Sequence, residues 1–340
     1  MIQILIKSFN RAYYLDRCLQ SIQKFVKGDY EIIVLDDGTP EKYLNKIRKK
    51  YPEVEIQLSS QYSRKIKAIQ ENLETGKEIN GFQIPTNLWY NAVKNASDYV
   101  LVTEDDVWFT EEIDLDKLAE SMKRYGMVLI KLGWISQRKI KSKMSFLENR
   151  IISIQPKIFT APKWFMKNFV FKKRFKVYSL MYRFGLVDNN TMDEFWVLNA
   201  LLMGLYKKEY WLELWRSLDN RVDEQEQLLN AIQWFRKNKA DNLYGKLDYK
   251  MMNTTFQSSA TNSYHRYGNE FDVNRFNFIM NEAWYNEKLD SMNNFPSDIS
   301  QQKYIEILEY ANQSKATSNL WLEWSERFKE QYRKQQVKVD

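Results

Sequence analysis

Cysteine and histidine are almost missing from this sequence: its 340 residues include one of each, Cys18 and His265. A single cysteine excludes an intrachain disulfide and fits a reducing compartment. A lone histidine is more often structural or incidental than a ligand. Long apolar runs are missing too. The longest cover about five residues, against about 20 for a membrane-spanning helix. Met1 to Phe9 is a short strand interrupted by Lys7 and has no cleavage site after it, which argues against a secretory leader. These absences together predict a cytoplasmic protein. No internal repeat, low-complexity linker or clean domain boundary is visible.

What is present is aromatic and charged. Aromatic residues make up 15% of the chain, with eleven Trp, enough for a large core and for an apolar or sugar-stacking surface. Charged residues at 28% and a mean hydropathy of −0.60 point to a soluble protein. The length suits one large domain or a core domain with an extension. The formal net charge of +7 favours phosphate-rich partners or an anionic membrane surface, by an attraction that salt screens.

The first half of the chain alternates regularly. Strands are predicted at Ile2–Ile6, Glu31–Leu35 and Val54–Leu58. Between them lie a helix carrying Leu15, Cys18, Leu19 and Ile22 and a second helix opened by Pro40. This succession is the signature of right-handed parallel βαβ units. Residues 59–84 read as one irregular helix and a loop, and Asn87 to Ala96 as another helix. Tyr99-Val100-Leu101-Val102 is then a buried strand that ends in Glu104-Asp105-Asp106. Three adjacent acids repel one another, and folding alone gives no reason to place them there. In open α/β sheets, ligands sit at this carboxyl edge. Either a divalent cation with hard oxygen ligands neutralises the cluster, or it is a solvated acidic turn.

Further strands are expected at 127–132 and 151–154, with a helix over 111–124 before the first. Residues 163–176 interleave six Lys/Arg with Trp and Phe. This stretch is either a solvated face over core aromatics or a contact for a membrane interface or an anionic acceptor. A helix is predicted over 193–205. Beyond 269 the chain reads as polar helices anchored by residues such as Trp284, Trp321 and Trp324.

Three strand ends now stand in order: Ser8-Phe9-Asn10-Arg11, Asp36-Asp37-Gly38-Thr39 and Glu104-Asp105-Asp106. This order and spacing resemble the family 2 glycosyltransferases of the GT-A fold, closely over residues 1 to about 135. The resemblance implies an α/β fold with a mostly parallel, Rossmann-like sheet flanked by helices. The polar helices beyond 269 read as an appended helical C-terminal extension, and the final third has no detailed match to the family. The expected division is a catalytic domain at 1–268, with a nucleotide-sugar half at 1–132 and an acceptor half at 133–268, and the extension at 269–340.

The site residues follow from the same resemblance. Ser8, Phe9, Asn10, Arg11, Asp36, Asp37, Glu104 and Asp105 would contact the nucleotide sugar. Asp36 and Asp37 also suit a turn or helix cap. Asp106, with His265, would hold Mn²⁺ or Mg²⁺, acting as a Lewis acid on the leaving diphosphate. Asp193 or Glu194 would be the general base, and both also suit a helix N-terminus. The expected reaction moves a sugar from a UDP-, GDP- or dTDP-sugar to a hydroxyl of a glycan or lipid-linked acceptor, with inversion. The setting is the cytoplasm, at the inner face of a membrane in the case of contact through 163–176. The pattern departs from the family in beginning its metal motif with Glu. It also lacks an Arg-Asn pair before that strand.

Two alternatives stand beside this reading. One keeps the enzyme and makes DNA the acceptor; the other, from a different class, is a non-catalytic carbohydrate- or nucleic-acid-binding protein, for which no nucleic-acid motif is recognisable. A nucleotidyltransferase needs a glycine-rich loop after the first strand, and Lys7-Ser8-Phe9-Asn10-Arg11 has no glycine.

Overall fold

The structure is a computed structural model, and it describes residues 1–77, 83–134, 141–217, 220–260, 270–334 and 336–339. The N-terminal alternation holds: β1 (Ile2–Ser8), α1 (Ala12–Phe25), β2 (Val26–Lys27), β3 (Tyr30–Asp36), α2 (Glu41–Lys50) and β4 (Glu55–Leu58). Two helices, α3 (Tyr62–Thr75) and α4 (Thr86–Asn95), lead to β5 (Tyr99–Glu104). Next come β6 (Val107–Phe109), β7 (Ile113–Asp114), α5 (Leu115–Tyr125), β8 (Leu129–Lys131), β9 (Lys143–Phe146) and β10 (Ile151–Gln155).

A short helical arm follows, made of α6 (Lys163–Phe165), a π-helical turn at Met166–Phe171, and α7 (Val177–Arg183). The chain then runs through α8 (Thr191–Phe195), β11 (Gly204–Lys207), α9 (Lys208–Leu214), α10 (Glu224–Lys237), β12 (Tyr244–Leu247) and β13 (Met252–Thr254). It finishes with α11 (Val273–Tyr285), α12 (Gln301–Ala311) and α13 (Ser318–Arg333).

Nine strands form one sheet in the order β4-β3-β1-β5-β11-β8-β12-β10-β9. The pairings set β11 and β10 against the other strands, so the sheet is mostly parallel. Each face carries its own apolar layer. Ile4, Ile6, Leu101 and Ile130 pack with α1 and the C-terminal helices, through Trp284, Trp321 and Trp324. Leu5, Val100, Val102 and Leu129 pack on the other face with the region around α8, α9 and α10. Buried polar groups also hold the C-terminal region to α1. Arg17 donates to the Ser291 and Asn293 carbonyls, at 2.7 and 3.1 Å, and Asp16 accepts from the Trp284 indole at 2.9 Å.

The helix expected over 193–205 is corrected. Helical structure stops at Leu198, and Gly204 begins a strand wedged between β5 and β8. Tertiary pairing overrides the helical periodicity there. A Cβ on Gly204 would lie 2.8 Å from the Tyr206 ring and 3.1 Å from Leu129, so a glycine lets the strand seat. Among the described residues, no helix is long and apolar enough to cross a membrane.

Candidate active site

Chain direction concentrates polar residues at one edge of the sheet. From β1 the chain goes outward to β3 and β4, then crosses back to β5 on β1's other side. The carboxyl ends of β1 and β5 therefore flank a topological switch point, the usual ligand crevice of such sheets. In register, Lys7 stands opposite Glu104 and Ser8 opposite Asp36. The structure thus gathers Ser8, Phe9, Asn10, Arg11, Asp36, Asp37, Glu104, Asp105 and Asp106 at one edge.

Arg11 organises the acidic strand end. Its guanidinium forks, one nitrogen reaching Asp106 at 2.7 Å and the other Asp105 at 2.5 Å. The backbone N–H of Phe9 donates to the second oxygen of Asp105 at 3.1 Å. Burial opposes the charge on Arg11, yet Asp105 and Asp106 hold it protonated, above its ordinary range. Burial also raises the Asp106 carboxyl, with Arg11 pulling the other way. Glu104 sits nearer the rim and pairs with Lys7 at 2.6 Å. Both oxygens of Asp105 are therefore occupied. Asp106 differs: its Oδ1 is buried and has no hydrogen-bond partner among the described residues.

The β3 end shows the same division between two neighbouring acids. Asp36 is fully buried and accepts from the Gly38 and Thr39 N–H groups, at 3.0 and 2.8 Å, and from the Thr39 hydroxyl at 2.6 Å. Its carboxylate closes the turn, the role a capping aspartate would have; burial lifts its pKa to about 6. Asp37 pairs with the buried Lys65, which also donates to the Gln83 carbonyl at 2.6 Å. Its Oδ1 is buried and accepts no hydrogen bond within normal geometry among the described residues. The loop between them is tightly packed. Asn10 takes a left-handed conformation, φ 53°, and its N–H donates to Thr39 Oγ1 at 2.9 Å. A Cβ on Gly38 would lie 2.7 Å from the Phe9 ring.

The predicted base pair, Asp193 and Glu194, belongs to α8. Glu194 is buried, and its carboxylate accepts from the Lys141 N–H and the Ser142 hydroxyl. Ser142 immediately precedes β9, the last strand of the sheet, so these bonds brace a loop at the far side from β3. Asp193 is half-buried beside it. The structure does not gather this pair with the acids at the end of β5. His265 lies outside the described residues. Among the described residues, no group of three or more His, Cys, Asp or Glu is arranged to hold a metal ion.

A different carboxylate completes the acidic edge. Glu224 opens α10, where Asp223 caps the helix by accepting from the Glu226 N–H at 2.9 Å. Its carboxyl is raised by burial, then by Glu104 and Asp223, so Glu224 stands within the field of Glu104 at the end of β5. With Ile84, Arg221, Val222 and Asp223 it lines a cavity of about 380 Å³. Tyr332, at the end of α13, shares that field: burial and then Asp106, Glu104 and Glu224 push its phenol up to about 12. An acidic pair opening a helix is the signal already read at 193–194. Applied to Asp223-Glu224, it finds the residue that sequence reading passed over.

Residues 3–78 match the family model described as glycosyl transferase family 2. The matched stretch contains the first two of the three strand-end motifs; Glu104-Asp105-Asp106 lies beyond it. Over those residues the chain is similar to family 2 glycosyl transferases. No curated protein matches the sequence. Among solved structures, the chain is similar to S. aureus TarS 1–349 in complex with UDP-GlcNAc, at 14% identity and TM-score 0.44. That alignment covers 100% of this chain and 97% of the other. The longer S. aureus TarS chain is spanned over only 44% of its length, at 12% identity and TM-score 0.40 over 94% of this chain. Glucosyl-3-phosphoglycerate synthase from Mycobacterium tuberculosis, in complex with Mn²⁺, UDP and glucosyl-3-phosphoglycerate, is similar at 11% identity and TM-score 0.39. There the coverage is 84% of this chain and 79% of the other.

Proposed function

We propose that this chain is a GT-A-type glycosyltransferase that transfers a sugar from a nucleotide-diphosphate sugar to a hydroxyl of a glycan or lipid-linked acceptor, with inversion. The observation that carries the reading is a pair of buried carboxylate oxygens without partners among the described residues, Asp37 Oδ1 and Asp106 Oδ1. They stand on either side of the β1 loop, at the ends of β3 and β5. A buried unpaired carboxylate oxygen is costly unless a ligand satisfies it. Asp37 is suited to accept an N–H of a base or a ribose hydroxyl. Asp36 and Asp105 hold the turn and Arg11 in place, and Ser8, Phe9 and Asn10 shape the floor between them.

The donor set at Asp106 fits Mg²⁺ or Mn²⁺. One free carboxylate oxygen, completed by substrate phosphates and water, is a common way to hold such an ion, with His265 as a further ligand in this reading. When bound, the ion supplies Lewis-acid stabilisation of the leaving diphosphate. Arg11 pulls the Asp105 and Asp106 carboxyls down against the burial that raises both, and Lys7 pairs with Glu104 at the rim.

The acceptor hydroxyl must lose a proton as the new bond forms. Glu224 is our choice for the base over Asp193 and Glu194. It stands within the field of Glu104 at the end of β5, and its raised pKa makes it a better proton acceptor once ionised. A single base facing the sugar from the side opposite the leaving group gives inversion. Residues 1–268 would form the catalytic unit and 269–340 an extension that delivers Tyr332 to the site. The cytoplasmic face of a membrane, contacted through 163–176, is the setting we assign.

The test is a donor screen with UDP-, GDP- and dTDP-sugars, reading metal-dependent hydrolysis and thermal stabilisation. Stabilisation by one nucleotide class, lost in Asp37→Asn and dependent on Mn²⁺ or Mg²⁺ only while Asp106 is intact, is expected. No response to any nucleotide sugar with Mn²⁺ present would overturn the reading.

A further inference from the structure

The helical arm carries the whole net charge of the protein. Residues 163–187 contain seven Lys and Arg and no acid, while the remaining 44 basic residues match 44 acidic ones. Lys163 and Lys167 pair with Glu226. The five cations between 172 and 183 form no ion pair among the described residues. The arm also concentrates apolar exposure. Of fourteen large hydrophobic side chains exposed among the described residues, six belong to it: Trp164, Phe175, Leu180, Tyr182, Phe184 and Leu186. Phe175 is 86% exposed and Phe184 73%.

The arm is built into the fold. Met166, Val170, Met181 and Val187 are buried in the core layer beneath it, and Phe171 stacks on Phe195 with ring centroids 5.4 Å apart. Its tip is a tight turn in which Lys173, Phe175 and Lys176 all have left-handed backbone, at φ 48°, 55° and 56°. Bulky residues adopt that conformation at a cost. Here the turn lifts a phenylalanine into solvent between lysines.

We infer that residues 164–186 form a docking surface for an anionic phospholipid bilayer, with Phe175 and Phe184 entering the headgroup layer and the flanking cations meeting lipid phosphates. Charge complementarity selects this occupant. Uniform positive charge interleaved with Trp, Tyr, Phe and Leu is what an anionic interface recognises. The inference rests on the transferase reading above and narrows it to a lipid-linked acceptor. Lys163 donates to Glu226 and to Asn230, the latter at 2.7 Å, which ties the arm to the helix that opens with Glu224. A hydroxyl carried on a lipid headgroup would then be presented beside that carboxylate.

Sedimentation of the full chain with vesicles tests this, using phosphatidylcholine alone and phosphatidylcholine mixed with phosphatidylglycerol. Binding is expected only to the mixed vesicles, falling at least tenfold from low to high salt. Phe175→Ser combined with Phe184→Ser should abolish it. Each of Lys173→Gln and Arg174→Gln should weaken it about fivefold. Equal binding to both vesicle types, or binding unchanged in the double-serine variant, overturns the inference. So does a wild-type dimer in size-exclusion chromatography that the double variant converts to monomer, since a second copy would then cover the face. Vesicle binding is measured without donor, and donor hydrolysis without vesicles. Failure of the membrane surface is thereby separated from failure of the transferase reading.

Discussion

The end of β5 and the tip of the helical arm are both dense in charge, and the protein treats them in opposite ways. At the strand end, Asp105 and Asp106 are drawn inside and each is matched to a nitrogen of Arg11. On the arm, the cations from Lys172 to Arg183 stay outside, without an ion pair among the described residues, beside exposed aromatics. A buried charge needs a partner because the interior does not solvate it, and an exposed charge needs none. Compensation therefore marks where folding has been served, and its lapses mark where a ligand is awaited. At the strand end the lapse on a carboxylate is Asp106 Oδ1, which has no hydrogen-bond partner among the described residues. On the arm it is a whole surface.

The largest expected effect comes from breaking the compensation at the strand end. Arg11→Leu leaves two buried carboxylates facing each other and should cost about 3–5 kcal/mol of stability, read as a fall in the denaturant midpoint. Arg11→Lys supplies one point charge where a fork is needed and should recover only part of it. An Arg11→Leu variant as stable as the wild type would show that the cluster does not need its internal partner.

The next effect separates two acidic helix starts. Glu224→Gln should lower turnover about 10²–10⁴-fold with little change in melting temperature. Glu194→Gln should do the reverse, weakening the bonds to Lys141 and Ser142 and costing about 1–3 kcal/mol of stability. The reverse pattern, turnover lost at Glu194 with stability intact, would return the base to the 193–194 pair.

How far this was legible in the sequence depends on whether the signal was local. The βαβ alternation and the three strand ends were readable because each is a short apolar run closed by polar residues. Strand β11 was not. Met203 to Tyr206 is apolar enough for a helix, and only its seat between β5 and β8 decides the matter. Asp223-Glu224 was passed over for a related reason, since Asp193-Glu194 presents the same local pattern and only the tertiary fold brings one of them within the field of Glu104. Asp36 and Asp37 looked equivalent. The difference between a closed turn and an open oxygen is set by Thr39 and Lys65, which sequence spacing does not reveal.

A pH experiment gives a smaller effect. Lys131 and Lys246 stand side by side on β8 and β12, and burial, then Lys246, lowers the Lys131 pKa to about 7. In the unfolded chain it stays near 10.4. Between these values the unfolded state binds the extra proton, so the Lys131 contribution to stability rises with pH above about 7, on the order of 1 kcal/mol per unit at its steepest. Below pH 7 both states are protonated and the full cost of burying the charge is present. The stability of wild type relative to Lys131→Met should therefore climb from pH 7 to 9. Parallel pH profiles for the two proteins would show that the ammonium is solvated.

The smallest effect belongs to the arm, and its smallness is the point. Phe175 makes almost no use of its apolar surface in the folded chain, so Phe175→Ser should change stability by less than about 0.5 kcal/mol. Serine also relieves some of the crowding at a left-handed position, which works in the same direction as the lost apolar exposure. A loss of several kcal/mol on equilibrium unfolding would mean that the ring is a core residue of the free protein and that the turn exists to pack it. Stability unchanged, together with vesicle binding lost, would show two kinds of charge cluster in one chain. One is held in place by what it touches inside the protein, and the other by what it meets outside.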